Sequence, residues 1–343
     1  MLHYREVLVV RKSFFATLLL ALLTVQSAVA AGKITISVSP VFTRNLGTTE
    51  YTLRGNVRVS VNEIVQLKST LEFPVDVAMA GGSLEIRRIG DKGRDWAIRA
   101  RVLTNVNDPG KKMLDHDWLD DIKFSFTESD AEANVTILDV DISKSIAGSE
   151  RFDLALMAGF MYEKISQDAI GYEGWQLNPF DPSPTQVPVS GSGLALLYDV
   201  TYKLPQIGLL PSAQLGRKLR IEGKAAIARV FVSDVDDHVL RKKISEADGP
   251  GTGFVSHLGF RYALKETERR DMFVELVGEY ISIKADMSQK QTWYGNDPAD
   301  DYIDPDTGEL VINDNTGDVI VGLDHAVRSM QYSIGLRIGL AFH

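Results

Sequence analysis

The sequence predicts an all-β fold, a ten-stranded antiparallel transmembrane β-barrel of the outer membrane, and three observations predict it. At the C-terminus Tyr332, Ile334, Leu336, Ile338, Leu340 and Phe342 alternate without a break against Ser333, Gly335, Arg337, Gly339 and Ala341. Successive side chains of a strand point to opposite faces, so one face is apolar with aromatic ends and the other small or polar, as a strand between lipid and lumen requires. An export signal is expected over residues 1–30, where Arg5, Arg11 and Lys12 precede the apolar run Phe14 to Leu23 and Ala28-Val29-Ala30 supplies a cleavage site. No later stretch approaches the roughly 20 apolar residues of a membrane helix, so residence in a membrane has to come through strands. Similar alternation recurs along residues 31–343, with short and long connections alternating.

In order, the first strand is expected from about Lys33 to Val41, followed by a polar connection, Arg44 to Asn62, that contains Glu50. The second, from about Glu63 to Ile89, changes its apolar parity from odd (Leu71, Phe73, Val75, Val77) to even (Leu84, Ile86) near Gly81-Gly82, which predicts a bulge there. Pro74 cannot donate to a ladder and predicts an irregularity of its own. Gly90 to Arg94 reads as a tight turn, and Trp96 to about Asn105 as the third strand, with Arg99 and Arg101 inward. The fourth returns through Phe124 and Phe126 to Ile142, with Asp139 and Asp141 inward. The fifth carries Phe152, Leu156 and Phe160 on one face, and a loop from about Ser166 to Gly193 precedes the sixth, with Leu194, Leu196, Tyr198, Val200, Tyr202 and Leu204 on one face. A turn region from Pro205 to Leu215 leads to the seventh strand, which ends near His238. The eighth and ninth follow, around Phe254 to Tyr262 and Met272 to Lys284, before a long acidic loop, Ala285 to about Arg328. An even strand count puts both termini on one side, with the short connections periplasmic and the long ones extracellular.

Composition narrows the functions. A net charge of -9 argues against nucleic acid as a partner, because a phosphate backbone calls for a basic face. It suits a mouth that attracts cations or basic peptides. With no cysteine, stability has to come from closed hydrogen bonding and burial rather than from disulfides. The inward Arg99, Arg101, Arg220, Glu222, Lys224, Asp199 and Lys203 are expected to fill a narrow lumen with ion pairs.

The chemistry is concentrated at two places. Along the seventh strand Arg220, Glu222, Lys224, Asp234, Asp236 and His238 share one parity, and Leu219, Ile221, Ile227 and Phe231 the other. An Asp two residues from a His on one strand face can orient the imidazole and stabilise its protonated form, as a general base needs. The second place is Met113 to Asp121, with Asp115 and Asp117. It follows the third strand, and Asp236-Asp237-His238 the seventh, so both belong to the same, extracellular rim. A His among aspartates is also a donor set for a divalent cation. The other nearby histidine, His116, faces away from Asp115 and Asp117 if the segment is extended, and the reading adopted needs no metal and no cofactor. The acidic loop, with Asp297, Asp300, Asp301, Asp304, Asp306, Glu309, Asp314 and Asp318, is read as a solvated loop repelling anions, with a calcium site as the alternative.

These residues resemble the omptin family of outer-membrane proteases. Met113-x-Asp115-x-Asp117-Trp118-x-Asp120 looks like the family's first acidic motif, and Asp234-x-Asp236-x-His238 like its second; Leu156 to Phe160 and Tyr202 to Gly208 are weaker echoes. The resemblance implies an endopeptidase in which Asp115 and Asp117 flank an attacking water and Asp236 and His238 act as a dyad. It implies a preference for basic, even dibasic, sites through an acidic pocket, with Asp234 and Glu50 where the family's two acids are expected. It further implies an active site at the extracellular face, basic peptides or proteins as substrates, and contact with outer-membrane lipid, with lipopolysaccharide as an activator. Thr201 departs from the family where an arginine is expected. The competing function is a non-enzymatic barrel, an adhesin or small channel, whose acidic mouth only binds.

Overall fold

The computed structural model describes residues 34–60, 63–88, 95–180, 183–298, 302–303 and 310–343. The expected signal segment, the turn at 90–94 and part of the acidic loop lie outside the described residues.

Twelve strands close into one antiparallel sheet: β1 (Ile34–Ser60), β2 (Glu63–Pro74), β3 (Ala78–Arg88), β4 (Trp96–Asn105), β5 (Met113–Leu119), β6 (Ile122–Gly148), β7 (Phe152–Gln176), β8 (Val187–Leu215), β9 (Leu219–His238), β10 (Lys243–Glu266), β11 (Arg270–Trp293) and β14 (Val319–Phe342). A two-residue pairing, β12 (Tyr302–Ile303) with β13 (Leu310–Val311), stands apart. Closure is made by β14 on β1, with Ile36 opposite Phe342. At the lower level the ring runs through β3 and β4, at the upper level through β2 and β5, and at either level ten strands surround the lumen. Among the described residues each strand of the ring has a partner on both sides, which is how a membrane-spanning sheet satisfies its backbone.

Alternation sets what each face meets. On β9 Ile227 and Phe231 are 64% and 51% exposed, while Asp234 and Asp236 retain 3% and 2%. The outward apolar band on β14 runs from Met330 to Leu340, close to the ~9–11 residues that a tilted strand needs to cross a bilayer. At its upper edge Tyr332 and Tyr280 meet across strands with ring centroids 5.0 Å apart, and Phe254 lies 6.4 Å from Tyr280, an aromatic girdle. The strands continue well above this band, so the mouth is carried on sheet rather than on loops.

The lumen is layered. At the bottom, ion pairs fill it: Arg101 makes a two-pronged contact to Glu279 at 2.6 and 2.9 Å, Lys224 reaches Asp139 at 3.3 Å, and Arg261 reaches Glu275 at 3.2 Å. Above them lies an apolar layer that includes Val41, Val77, Leu103, Met161, Leu204, Val230 and Ile281. The acids of the mouth sit on top.

This layering corrects several expectations. The parity change on the second strand is not a bulge. Leu71, Phe73 and Met79 face inward on the same parity as Glu85 and Arg87, and what changes is the lumen, from apolar to ionic. Gly81 and Gly82 pair in unbroken register with β1 and β4, and the glycine answers to close approach, since a Cβ at Gly81 would lie 1.9 Å from the Val102 carbonyl oxygen. The irregularity falls instead after Pro74, where residues 75–77 leave the ladder between β2 and β3. Leu196 to Leu204 on β8 face the lumen, so Asp199 and Lys203 are exposed outside and do not belong to the luminal ion pairs. The region Pro205 to Leu215 is strand, not turn. The prolines only interrupt the ladder to β9, which is unpaired at Leu204-Pro205 and at Leu210-Pro211 because a proline lacks the N–H to donate. The connections at the mouth are shorter than expected: 177–186, 239–242 and 294–318.

Candidate active site at the barrel mouth

Asp236 and His238 occupy successive inward positions at the upper end of β9, and His238 Nε2 lies 2.9 Å from Asp236 Oδ2. The chain then turns through a single 3-10 turn, Val239–Arg241, and Lys242 adopts the left-handed conformation (φ 52°) that lets β10 start at Lys243, directly opposite His238. The turn thus fixes the histidine one residue from a reversal, with its ring at the rim and only partly covered.

Facing it, β5 is inserted between β2 and β6, so Asp115 stands opposite Leu71 and Thr127, and Asp117 opposite Ser69 and Ser125. Burial raises the Asp115 carboxyl well above the usual carboxylate range, and the charges of Asp117 and Asp236 raise it further. Burial also raises Asp117, while a hydrogen bond from Ser69 and the charges of Arg241, His238 and Lys243 oppose the rise. The two pairs therefore share one electrostatic site. Asp115 Oδ1 and Asp236 Oδ1 are both buried and accept no hydrogen bond from the described residues, leaving two acceptors on opposite walls of one cleft.

His116 lies on the other face of β5, as extended backbone dictates. Its ring stacks on Trp118 at 5.6 Å, and its Nδ1 meets Lys123 Nζ at 2.8 Å. It takes no part in the cleft.

Of the two residues expected to bind a substrate cation, Glu50 points away from the lumen and Asp234 is already paired. β1 does not end in a loop but continues to Ser60, so alternation decides where Glu50 points: opposite in parity to Thr49 and Tyr51, the buried luminal residues, and in register between Glu72 and Arg328. The inward position belongs to Tyr51. Asp234 does lie on the luminal face, but beneath the dyad, where its Oδ2 accepts from His325 Nε2 at 2.7 Å and from Tyr198 OH at 3.3 Å.

Three residues of the site carry no sequence signal. Tyr51 donates its hydroxyl to Asp236 Oδ2. Lys243 is buried beside His238 with Nζ 5.7 Å from the Trp293 ring centroid, and desolvation, with the nearby Arg241 charge, pushes its ammonium down to about 8. Arg241 Nε is held at 2.8 Å by Asp297 Oδ2, a fully buried acid that ties the acidic loop to the turn after His238. Among the described residues no group of three or more His, Asp or Glu side chains is placed to hold a metal ion.

Fold and cleft together define an outer-membrane type barrel with an Asp/Asp pair facing an Asp/His dyad at its mouth. The fold is that of the outer membrane protease OmpT from Escherichia coli, which superposes with a TM-score of 0.64 at 16% identity over 91% of this chain and 97% of that one. The translocator domain of the autotransporter NalP from Neisseria meningitidis is also similar, with a TM-score of 0.35 and 10% identity, covering 97% of each chain. No family model matches the chain, and no curated protein sequence matches it.

Proposed function

We propose that the barrel is an endopeptidase of the outer membrane that hydrolyses extracellular peptides with a water activated between Asp115, Asp117 and the Asp236–His238 dyad. The observation that carries this reading is the 2.9 Å dyad contact together with the buried oxygens of Asp115 and Asp236, close enough that the Asp236 charge raises the Asp115 carboxyl.

The steps follow from the groups present. His238 donates through Nε2 to Asp236, which leaves Nδ1 as the basic nitrogen. The water adds its oxygen to the peptide carbonyl carbon and passes a proton to His238, whose positive charge Asp236 offsets. Asp115, biased by burial toward its protonated form, can donate a hydrogen bond to the carbonyl oxygen as it becomes negative, with Asp117 holding the water. Collapse breaks the C–N bond, and the leaving nitrogen takes the proton from His238. No metal or cofactor is assigned a step.

Basic peptides are the proposed substrates on the strength of long-range attraction to a chain of net charge -9. Lipopolysaccharide as activator rests on the resemblance alone. The small-channel alternative is disfavoured by the apolar layer, which fills the lumen beneath the cleft.

The test is to refold the chain in detergent and offer it fluorogenic peptides, with and without lipopolysaccharide and with and without chelator. Cleavage unaffected by chelator is expected; a folded barrel that cuts no peptide under any of these conditions would overturn the reading.

A further inference from the structure

The feature that the reaction leaves unused is the second buried acid–imidazole contact, one pleat below the dyad. Asp234 and His325 are 3% and 2% exposed, and His325 Nε2 stands 2.7 Å from Asp234 Oδ2. The histidine is fixed from behind. Gln291 Nε2 donates to Gln289 Oε1 at 2.8 Å, which turns the Gln289 Nε2 toward His325 Nδ1 at 3.1 Å. Nδ1 therefore accepts, and Nε2 carries the hydrogen that Asp234 receives. Tyr198 supplies a second donor at 3.3 Å, and Tyr51 closes over the pair, its ring 4.9 Å from that of His325 and 5.5 Å from that of Tyr198.

We propose that His325 is a specificity-determining residue of this mouth: from within the barrel it takes the place on Asp234 that a cationic substrate side chain would occupy, so the subsite beneath the dyad accepts neutral side chains. The inference rests on the peptidase reading for its substrate, but its geometry is independent of it. Asp234 is the next inward residue of β9 below Asp236, so it is the first acid beneath the dyad on that face. A guanidinium arriving there finds the carboxylate already satisfied. To reach it, the substrate would have to displace a fully buried ring and break the contacts to Asp234 and Gln289, and unpaired buried groups are what such a displacement leaves behind. Long-range attraction of basic peptides to the acidic mouth is unaffected, because it acts before any side chain is seated.

The experiment replaces the ring by a small side chain. His325→Ala leaves a space of imidazole size with a carboxylate at its floor, and benzamidine, a planar cation, is the probe, titrated calorimetrically against refolded wild type and variant. Matched peptides carrying Arg or Gln beside the scissile bond are cleaved in parallel. Wild type is expected to bind benzamidine weakly or not at all and to cut the two peptides within a few-fold of each other. His325→Ala is expected to bind benzamidine and to favour the Arg peptide on the order of ten- to hundredfold, the range of a charge-assisted contact, and both gains should vanish in the His325→Ala, Asp234→Asn double variant. A wild type that already binds benzamidine through Asp234, or a folded His325→Ala barrel that gains no binding, would overturn the proposal. If neither barrel cuts any peptide, the peptidase reading fails while the titration still decides the pocket. Should His325→Ala not refold, His325→Ser opens much of the same space and carries the same expectations.

Discussion

Tyr51 and His238 converge on one oxygen: the Tyr51 hydroxyl donates to Asp236 Oδ2, the same atom that lies 2.9 Å from His238 Nε2. Burial and the Asp236 charge both raise the Tyr51 hydroxyl well above its ordinary range, so it stays protonated and keeps donating. In the proposed mechanism Tyr51 is a positioning residue, fixing the carboxylate that orients the base. Tyr51→Phe keeps the ring and removes the donor, which for a charged acceptor contributes about 1.5–3 kcal/mol. The expected result is a fall in kcat of roughly ten- to hundredfold with KM little changed, read from steady-state peptide cleavage. A change in KM alone would mean that Tyr51 shapes the groove instead.

Asp115 is expected to trade stability for function. Its carboxyl is raised by burial, Asp117 and Asp236, so from the ordinary carboxylate range up to the raised value the native state binds more protons than the unfolded one. Stability therefore falls as pH rises through that window, by about 1.4 kcal/mol for each unit of the rise. Asp115→Asn removes the ionisation while keeping a donor for the carbonyl oxygen, and the variant should be more stable than wild type at neutral pH, with the advantage shrinking in acid. The check is the temperature at which the fast-migrating folded band is lost on unboiled gels, at pH 4 and pH 7.5. Equal stability at both would contradict the burial argument.

Lys243 lowers both carboxyls of the Asp115–Asp117 pair through its charge. Lys243→Met should let Asp117, which holds the water, rise, so the acid limb of kcat/KM against pH moves to higher pH. The alkaline side should change as well, because the ammonium that titrates near 8 is gone. A profile identical to wild type would remove Lys243 from the electrostatics of the cleft.

The parts of this account that were legible in the sequence are those written in a two-residue period. The lipid-facing rows of β14 and β9, the inward Arg99 and Arg101 and the Asp236–His238 spacing follow from alternation alone. Alternation fails where both faces of a strand have the same polarity. Above the membrane band β1 meets water instead of lipid, so its continuation past Arg44 to Ser60 reads as loop, and Glu50 is assigned a freedom that it does not have. In the apolar layer the contrast inverts: Tyr198, Val200 and Tyr202 point inward while Asp199 and Lys203 point out, which no local pattern distinguishes from a lipid-facing row. Tyr51 and His325 were illegible for another reason. Their partners, Asp236 and Asp234, lie 185 and 91 residues away, and only the closure of β1 against β14 brings both side chains beneath the dyad.

The most direct test of the central claim is single-turnover cleavage of a fluorogenic peptide by refolded wild type and His238→Ala. The account predicts that His238→Ala is slower by on the order of 10² to 10⁴, the usual contribution of positioned acid–base catalysis, with peptide affinity nearly unchanged. Asp115→Ala and Asp117→Ala should also be severe, and the losses should not add, because groups acting on one transition state form a unit. A folded His238→Ala barrel that cleaved the peptide at the wild-type rate would contradict it.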